Sequence, residues 1–375
     1  MNKSKKIICG VLVLVCIFSS AFSFDWGGSS NTSFSVYDAA AFPTEEATLS
    51  LAEKLSLWGK VSFNKNISLN MEGNYQGSYD FETYTQKIDL QLFDLKMAFI
   101  PSTSAIINVD LGRIFVSDSS RMIYGNLIDG GKVQFSLPTV DLGVFAGYTG
   151  LINSSNLAVV NSSQEIDFQK IYSLAPAFVA VGLNATAKNV FGNNSFGLDI
   201  SSFIPADAME TRETSIYLEL NSTGPIANSF YYDLSTAVSF LGSKTGIMAN
   251  GAITYYPSFL SSMVAANVTF ATDTFASFVD PALVLGESNS LSGLLKAGLV
   301  ASIKPIDSLL VQLAGDFVMD VQGSSLVKDS IQWNTSLKWQ AMTDIQLNMF
   351  VGQKIPLVDT VEPVWFCSAG FTLNF

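Results

Sequence analysis

The stretch Val361-Glu362-Pro363-Val364-Trp365-Phe366-Cys367-Ser368-Ala369-Gly370-Phe371-Thr372-Leu373-Asn374-Phe375 alternates along nearly its whole length. Successive side chains of a strand point to opposite faces. Val361, Pro363, Trp365, Cys367, Ala369, Phe371, Leu373 and Phe375 therefore share one apolar, aromatic-rich face. Glu362, Val364, Phe366, Ser368, Gly370, Thr372 and Asn374 share a mixed one.

The same period of two recurs up the chain. Ile67, Leu69, Met71, Gly73 and Tyr75 interleave with Ser68, Asn70, Glu72 and Asn74. Phe196, Leu198 and Ile200 interleave with Ser195, Gly197, Asp199 and Ser201, and Ile216, Leu218 and Leu220 with Ser215, Tyr217, Glu219 and Asn221. Leu309 to Asp320 and Asp344 to Gly352 repeat the pattern. Repeated alternation is the strand signal, and each segment is about the length that crosses a bilayer at a tilt, roughly 9–11 residues.

Composition points the same way. Hydrophobic residues make up 48% and charged residues 14%, against roughly 25% charged in soluble domains. Mean hydropathy is +0.33. Beyond Phe24 no apolar run approaches the roughly 18 residues of a membrane helix; the densest, Ala175 to Leu183, is broken by Pro176 and Gly182. Alternation hides hydrophobicity in a lipid-facing barrel without long runs. Lipid also forbids unpaired backbone, so the sheet must close.

Connections alternate between short and long. Short ones are read at 64–66, 101–104, 137–139, 191–194, 223–225, 256–260, 304–307 and 340–343. Longer ones fall near 79–84, 118–129, 150–168, 204–211, 241–246, 275–290, 322–329 and 354–360. Eight short turns pair sixteen strands, the terminal strand adds one, and Ser33–Ala40 supplies a first. The expectation is an all-β, closed antiparallel transmembrane β-barrel of 18 strands, or 16 if Ser33–Ala40 and 128–137 are not strands, with short periplasmic turns and longer extracellular loops.

The terminal strand with its last aromatic resembles that of bacterial outer-membrane β-barrels. The chain as a whole is similar to porins, including those of spirochaetes. The resemblance implies that Trp365, Phe371, Leu373 and Phe375 carry an assembly signal read by the barrel assembly machinery, and that a homo-trimer is a possible state.

At the other end, Lys3, Lys5 and Lys6 precede an apolar run, Ile7 to Phe18, and a small-x-small site at Ala21-Phe22-Ser23. That is the form of a cleavable export signal, giving residues 1–23 as leader and 24–375 as barrel. The net charge is −12. Loss of the leader's three lysines and no acids takes it to −15. So acidic a chain is a poor partner for nucleic acid.

Chemistry is narrowly bounded. There is no histidine, so imidazole dyads and histidine metal sites are absent. Cys9 and Cys16 lie in the leader, leaving Cys367 without an intramolecular disulfide partner. No phosphate loop or dinucleotide fingerprint occurs. No enzymatic activity, cofactor or metal is expected.

At this strand number the lumen is too wide for its own wall side chains to fill. Its candidate lining is acidic: Asp89, Asp110, Asp141, Asp199, Glu219, Asp233, Asp316 and Asp344, with Glu72, Asp320, Lys296 and Lys338. A carboxylate field favours cations or neutral polar solutes. Gly112-Arg113 breaks the phase of its strand. Arg113 facing lipid would cost roughly 2–4 kcal/mol, so a bulge at Gly112 is expected to turn it inward. With Asp118, Arg121 and Asp129 it resembles the porin constriction, where acids face bases. The expected function is passive diffusion of small polar solutes or ions across the outer membrane, mildly preferring cations. The alternatives are a structural or adhesive barrel, or a transporter of apolar solutes. The last would need a plug, for which Phe24 to Asp38 is too short.

Overall fold

The computed structural model describes residues 23–37, 48–80, 82–154, 157, 159, 170–206, 212–279, 291–323, 325–357 and 362–375. Residues 1–22 of the expected leader, 1–23, lie outside this set, and its expected last residue, Ser23, is already in the first strand. Eighteen antiparallel strands form one sheet. They are β1 Ser23–Tyr37, β2 Thr48–Asn64, β3 Ile67–Tyr79, β4 Tyr84–Ser102, β5 Ala105–Ser117, β6 Gly125–Ser136, β7 Val140–Tyr148, β8 Phe178–Ala187 and β9 Ser195–Pro205. There follow β10 Ser215–Ala227, β11 Phe230–Leu241, β12 Lys244–Tyr255, β13 Met263–Ala271, β14 Leu294–Ile306, β15 Leu309–Gln322, β16 Ser325–Met342, β17 Ile345–Pro356 and β18 Val364–Asn374. Each pairs with its neighbours in sequence, and β1 pairs with both β2 and β18, so the sheet is a closed barrel.

The 18-strand count is as read from the alternation, with three local differences. The first strand is Ser23–Tyr37 rather than Ser33–Ala40, so it forms wall and contributes no plug. Thr223-Gly224-Pro225 is not a turn; β10 runs through it, with a register shift only after Pro225, and the turn follows at Asn228-Ser229. The connections expected to be long at 241–246 and 322–329 are tight ones centred on Gly242 and Gly323, both at positive φ, a backbone state that favours glycine.

Alternation sorts the side chains as expected. On β9, Phe196, Ile200 and Ile204 are exposed on the outer wall, whereas Gly197, Asp199, Ser201 and Phe203 are buried inside. On β18, Trp365, Cys367, Ala369, Phe371 and Leu373 face out. Closure ends on a reciprocal pair: Gly28 N–H donates to the Phe375 carbonyl at 2.8 Å and Phe375 N–H to Gly28 at 3.0 Å. A Cβ on Gly28 would sit 2.7 Å from the Phe375 ring, so only glycine leaves the ring its seat. Deleting Phe375 removes both bonds and the ring contact, a loss of about 2–3 kcal/mol. The deletion variant is expected to lose its heat-modifiable gel shift at a lower temperature than the intact chain.

Candidate functional site: the lumen and its inward-folded loops

The lumen is not uniformly open. Apolar residues of three outer connections, 118–124, 149–177 and 272–293, meet inside the barrel. Ile123, Tyr124, Ile152, Leu157, Phe275, Phe278 and Val279 are buried there. They pack on lumen-facing apolar residues of the wall, among them Ile114, Val116, Ile128, Phe178, Phe203 and Tyr217. Phe203 stacks on Phe278 with centroids 3.6 Å apart, and Tyr124 meets Phe203 edge-on at 5.4 Å. The Phe278 and Val279 amides both donate to the Ile123 carbonyl, joining two of the connections.

Among the described residues this dry core draws its wall members from β5 to β15 and takes none from β16–β18 or β1–β4. The core therefore fills one side of the barrel toward the outer ends of the strands. The arc β16–β18 and β1–β4 borders what remains open.

Asp118 organises the crossing segment. Its carboxylate accepts from Tyr124 N–H at 2.8 Å, Met122 N–H at 3.2 Å, Ile123 N–H at 3.3 Å and the Ser120 hydroxyl at 2.6 Å. The tip beyond it reaches the wall at β9 and β10, where Ser119 N–H donates to Asp199 at 3.4 Å and Ser120 N–H to Glu219 at 3.2 Å. Asp199 and Glu219 are direct cross-strand neighbours. Like charges so placed repel, and the donated amides offset that. Arg121 sits exposed at the tip with φ 59°. Burial, reinforced by Asp118, Asp199 and Glu219, holds the Tyr124 phenol well above its ordinary range, so it stays neutral in the core.

Arg113 lies elsewhere. Pairing of β4 with β5 stops at Phe93–Arg113, although β4 continues to Tyr84 and β5 to Ser117. Gly112 has φ +125°, and a Cβ there would lie 2.0 Å from the Phe93 carbonyl oxygen. The ladder carries no register shift at Gly112. Arg113 thus keeps the strand face of Leu111 and Phe115, opposite the buried Ile114 and Val116, and fills the gap where the two strands part. Its guanidinium is bidentate on Asp129, directly across β6, at 2.8 and 2.9 Å. It also donates to the Leu90 and Leu151 carbonyls, each at 2.9 Å, and lies 3.8 Å from Asp89. Above it Ile88 N–H donates to Ile171, and Asn153 donates its amide to Ile88. The connection 149–177 thereby takes the place of β5 along β4.

The four constriction candidates thus divide. Arg113 and Asp129 join in the wall seam, whereas Asp118 and Arg121 belong to the tip inside the lumen. Of the expected wall acids, Asp141 pairs with Lys188 at 2.9 Å and Asp316 with Lys296 at 3.6 Å. Asp110 lies across from Lys96 and Lys132. Asp89 is buried beside Arg113, Asp233 is exposed on the inner face of β11, and Asp344 is in the β16–β17 turn rather than on the wall. The plug was missed by the sequence reading. Its one visible signal was aromatic residues at lumen-phase positions, Phe203 and Tyr217, where Asn and Ser are usual. No cluster of acidic or cysteine side chains able to hold a metal occurs among the described residues.

No protein-family model matches the chain, and no curated protein matches it in sequence. Solved structures do resemble it. A BenF-like porin from Pseudomonas fluorescens Pf-5 matches with TM-score 0.64 and 8% identity, over 94% of this chain and 98% of that one. Pseudomonas aeruginosa OccK2 (OpdF), in complex with glucuronate, matches with TM-score 0.63 and 8% identity, over 94% and 98%. Pseudomonas aeruginosa OpdK with vanillate matches with TM-score 0.59 and 9% identity, over 94% and 99%. At these identities the likeness is one of fold.

Proposed function

We propose that the chain is a bacterial outer-membrane porin that passes small polar solutes along the open arc of its lumen. The observation that carries this reading is the arrangement itself: a closed 18-strand wall with an apolar outside and a lumen narrowed, on one side, by loops. Closure answers the backbone demand of lipid, and a barrel of this width leaves an aqueous path where loops do not fill it. Export by the leader and insertion through the C-terminal strand belong to the same proposal.

Selectivity follows from which charges meet the path. The carboxylate majority favours cations only if those groups are free. Asp199 and Glu219 are buried under the tip, and Asp94 is buried beside Lys96. Asp141 and Asp316 are paired with lysines. On the open arc Lys54 and Lys338 stand exposed, with no ion pair among the described residues, and Lys60 lies across from the exposed Asp25. We therefore propose that the pore accepts small organic anions as well as neutral solutes, in place of a mild cation preference. Glucuronate and vanillate in two structural neighbours are consistent with this.

Purified barrel in a planar bilayer under a salt gradient is expected to conduct, with a reversal potential on the anion side. Lys338→Glu is expected to move that potential toward cations without abolishing conductance. A folded barrel that never conducts refutes the pore. A cation-side potential in the wild type refutes the selectivity alone.

A further inference from the structure

The open arc carries an exception to its own polarity. Facing the lumen from β16–β18 and β1–β3 are Ser, Thr, Asn, Gln, Gly, Lys and acids. Among the described side chains, Trp58, Phe350 and Phe366 are the only aromatic rings there, beside the smaller apolar Ala52, Pro356 and Val364. These rings contribute nothing to the dry core, which has no member on these strands. Phe350 and Phe366 lie nearly parallel, at 19°, with centroids 5.3 Å apart. Phe366 rests over Gly352, where a Cβ would come within 2.3 Å of its ring. The missing side chain lets the ring lie flat against the wall. Both rings remain partly exposed. Water gains nothing from meeting such a plate.

Beside Phe350 is a recess of about 210 Å³ whose lining includes Lys338, Asn348, Asn31 and Ser33. Lys338 lies across from Asn348, one inward-facing pair nearer the β16–β17 turn than Phe350. Asn31 donates to the Thr372 hydroxyl at 2.8 Å, which fixes its amide at the edge of the recess. An aromatic face next to amides, a hydroxyl and one ammonium matches a ring with an apolar face and a polar rim.

We propose that Phe350 and Phe366, with Lys338, Asn348, Asn31 and Ser33, form a binding subsite for ring-shaped solutes, either a pyranose or a substituted aromatic ring. The inference rests on the pore reading and adds to it a selectivity for shape that charge does not supply.

The test is current interruption in single channels of the full barrel. Three uncharged probes are added at equal concentration: glucose, benzamide and the acyclic sorbitol. Wild type is expected to show resolvable blocks with glucose, benzamide or both, and only a smooth reduction with sorbitol. A response to one ring probe assigns the subsite to that ring class. In Phe350→Leu with Phe366→Leu the block lifetime is expected to fall roughly threefold to tenfold, with salt conductance unchanged. Phe350→Leu alone, which leaves Phe366 over Gly352, gives the same direction of change should the double variant not form channels. Equal behaviour of ring and acyclic probes in a conducting wild type overturns the subsite and leaves the pore standing. Block lifetimes unaltered in the leucine variants overturn it too. A barrel that never conducts overturns both.

Discussion

Asp118→Ala is expected to enlarge single-channel conductance and make it noisy. The side chain is buried and holds four donors of the tip. Each bond contributes about 1 kcal/mol net, and more to a charged acceptor. Losing them together weakens the ordered tip by about 3–5 kcal/mol, a shift in its ordered-to-open ratio of roughly two to four orders of magnitude. The released segment carries Arg121, so trypsin supplies a second readout. The variant is expected to be cut after Arg121 in the folded barrel, where the wild type resists. Asp118→Asn keeps one carbonyl oxygen and is expected to fall between. Conductance and cleavage identical to wild type would refute Asp118 as the residue that holds the tip in the lumen.

Arg113→Ala is expected to lower the urea midpoint of the folded barrel more than any other single lumen or seam substitution considered. The guanidinium is 8% exposed and ties together β4, β6 and the connection 149–177. Removing one member of a buried ion pair costs about 3–5 kcal/mol, because the partner charge is left behind. Here the Leu90 and Leu151 carbonyls lose their donor as well. Arg113→Lys is expected to recover little, since an ammonium lacks the planar fork that engages both Asp129 oxygens. An unchanged midpoint in Arg113→Ala would refute the seam.

The strand pattern could be read because it is periodic. Ile216, Leu218 and Leu220 must face lipid if their neighbours face water, and a slip by one residue would reverse every side chain. The count of 18 survived local errors because they compensated. Thr223-Gly224-Pro225 looked like a turn, yet the true turn lies only a few residues later at Asn228-Ser229, so the number of reversals was unchanged. Loop lengths at Gly242 and Gly323 were misjudged because a single left-handed glycine closes a hairpin as well as a long excursion does, and composition does not separate them.

The lumen was less legible. Met122-Ile123-Tyr124, Phe275 and Phe278-Val279 are short apolar groups with no strand period. They become a core only because β9, β10 and β5 present Phe203, Tyr217, Ile114 and Val116 to the same space. Arg113 and Asp129 were grouped with Asp118 and Arg121 as constriction candidates; in the structure they pair with each other, but the parting of β4 from β5 is a property of register that no stretch of sequence displays. The seam therefore looked like a constriction.

The interior packing also has a consequence for the order of assembly. Its wall members are spread from Ile114 on β5 to Val318 on β15. Contacts so distant along the chain cannot consolidate before the strands between them have registered, since loop-closure entropy must be met first. The nascent cylinder therefore passes through a stage in which the wall is largely laid down and the throat is still unobstructed. Throat closure comes late, and its lag behind strand pairing can be timed by comparing the appearance of trypsin resistance at Arg121 with that of the heat-resistant gel band.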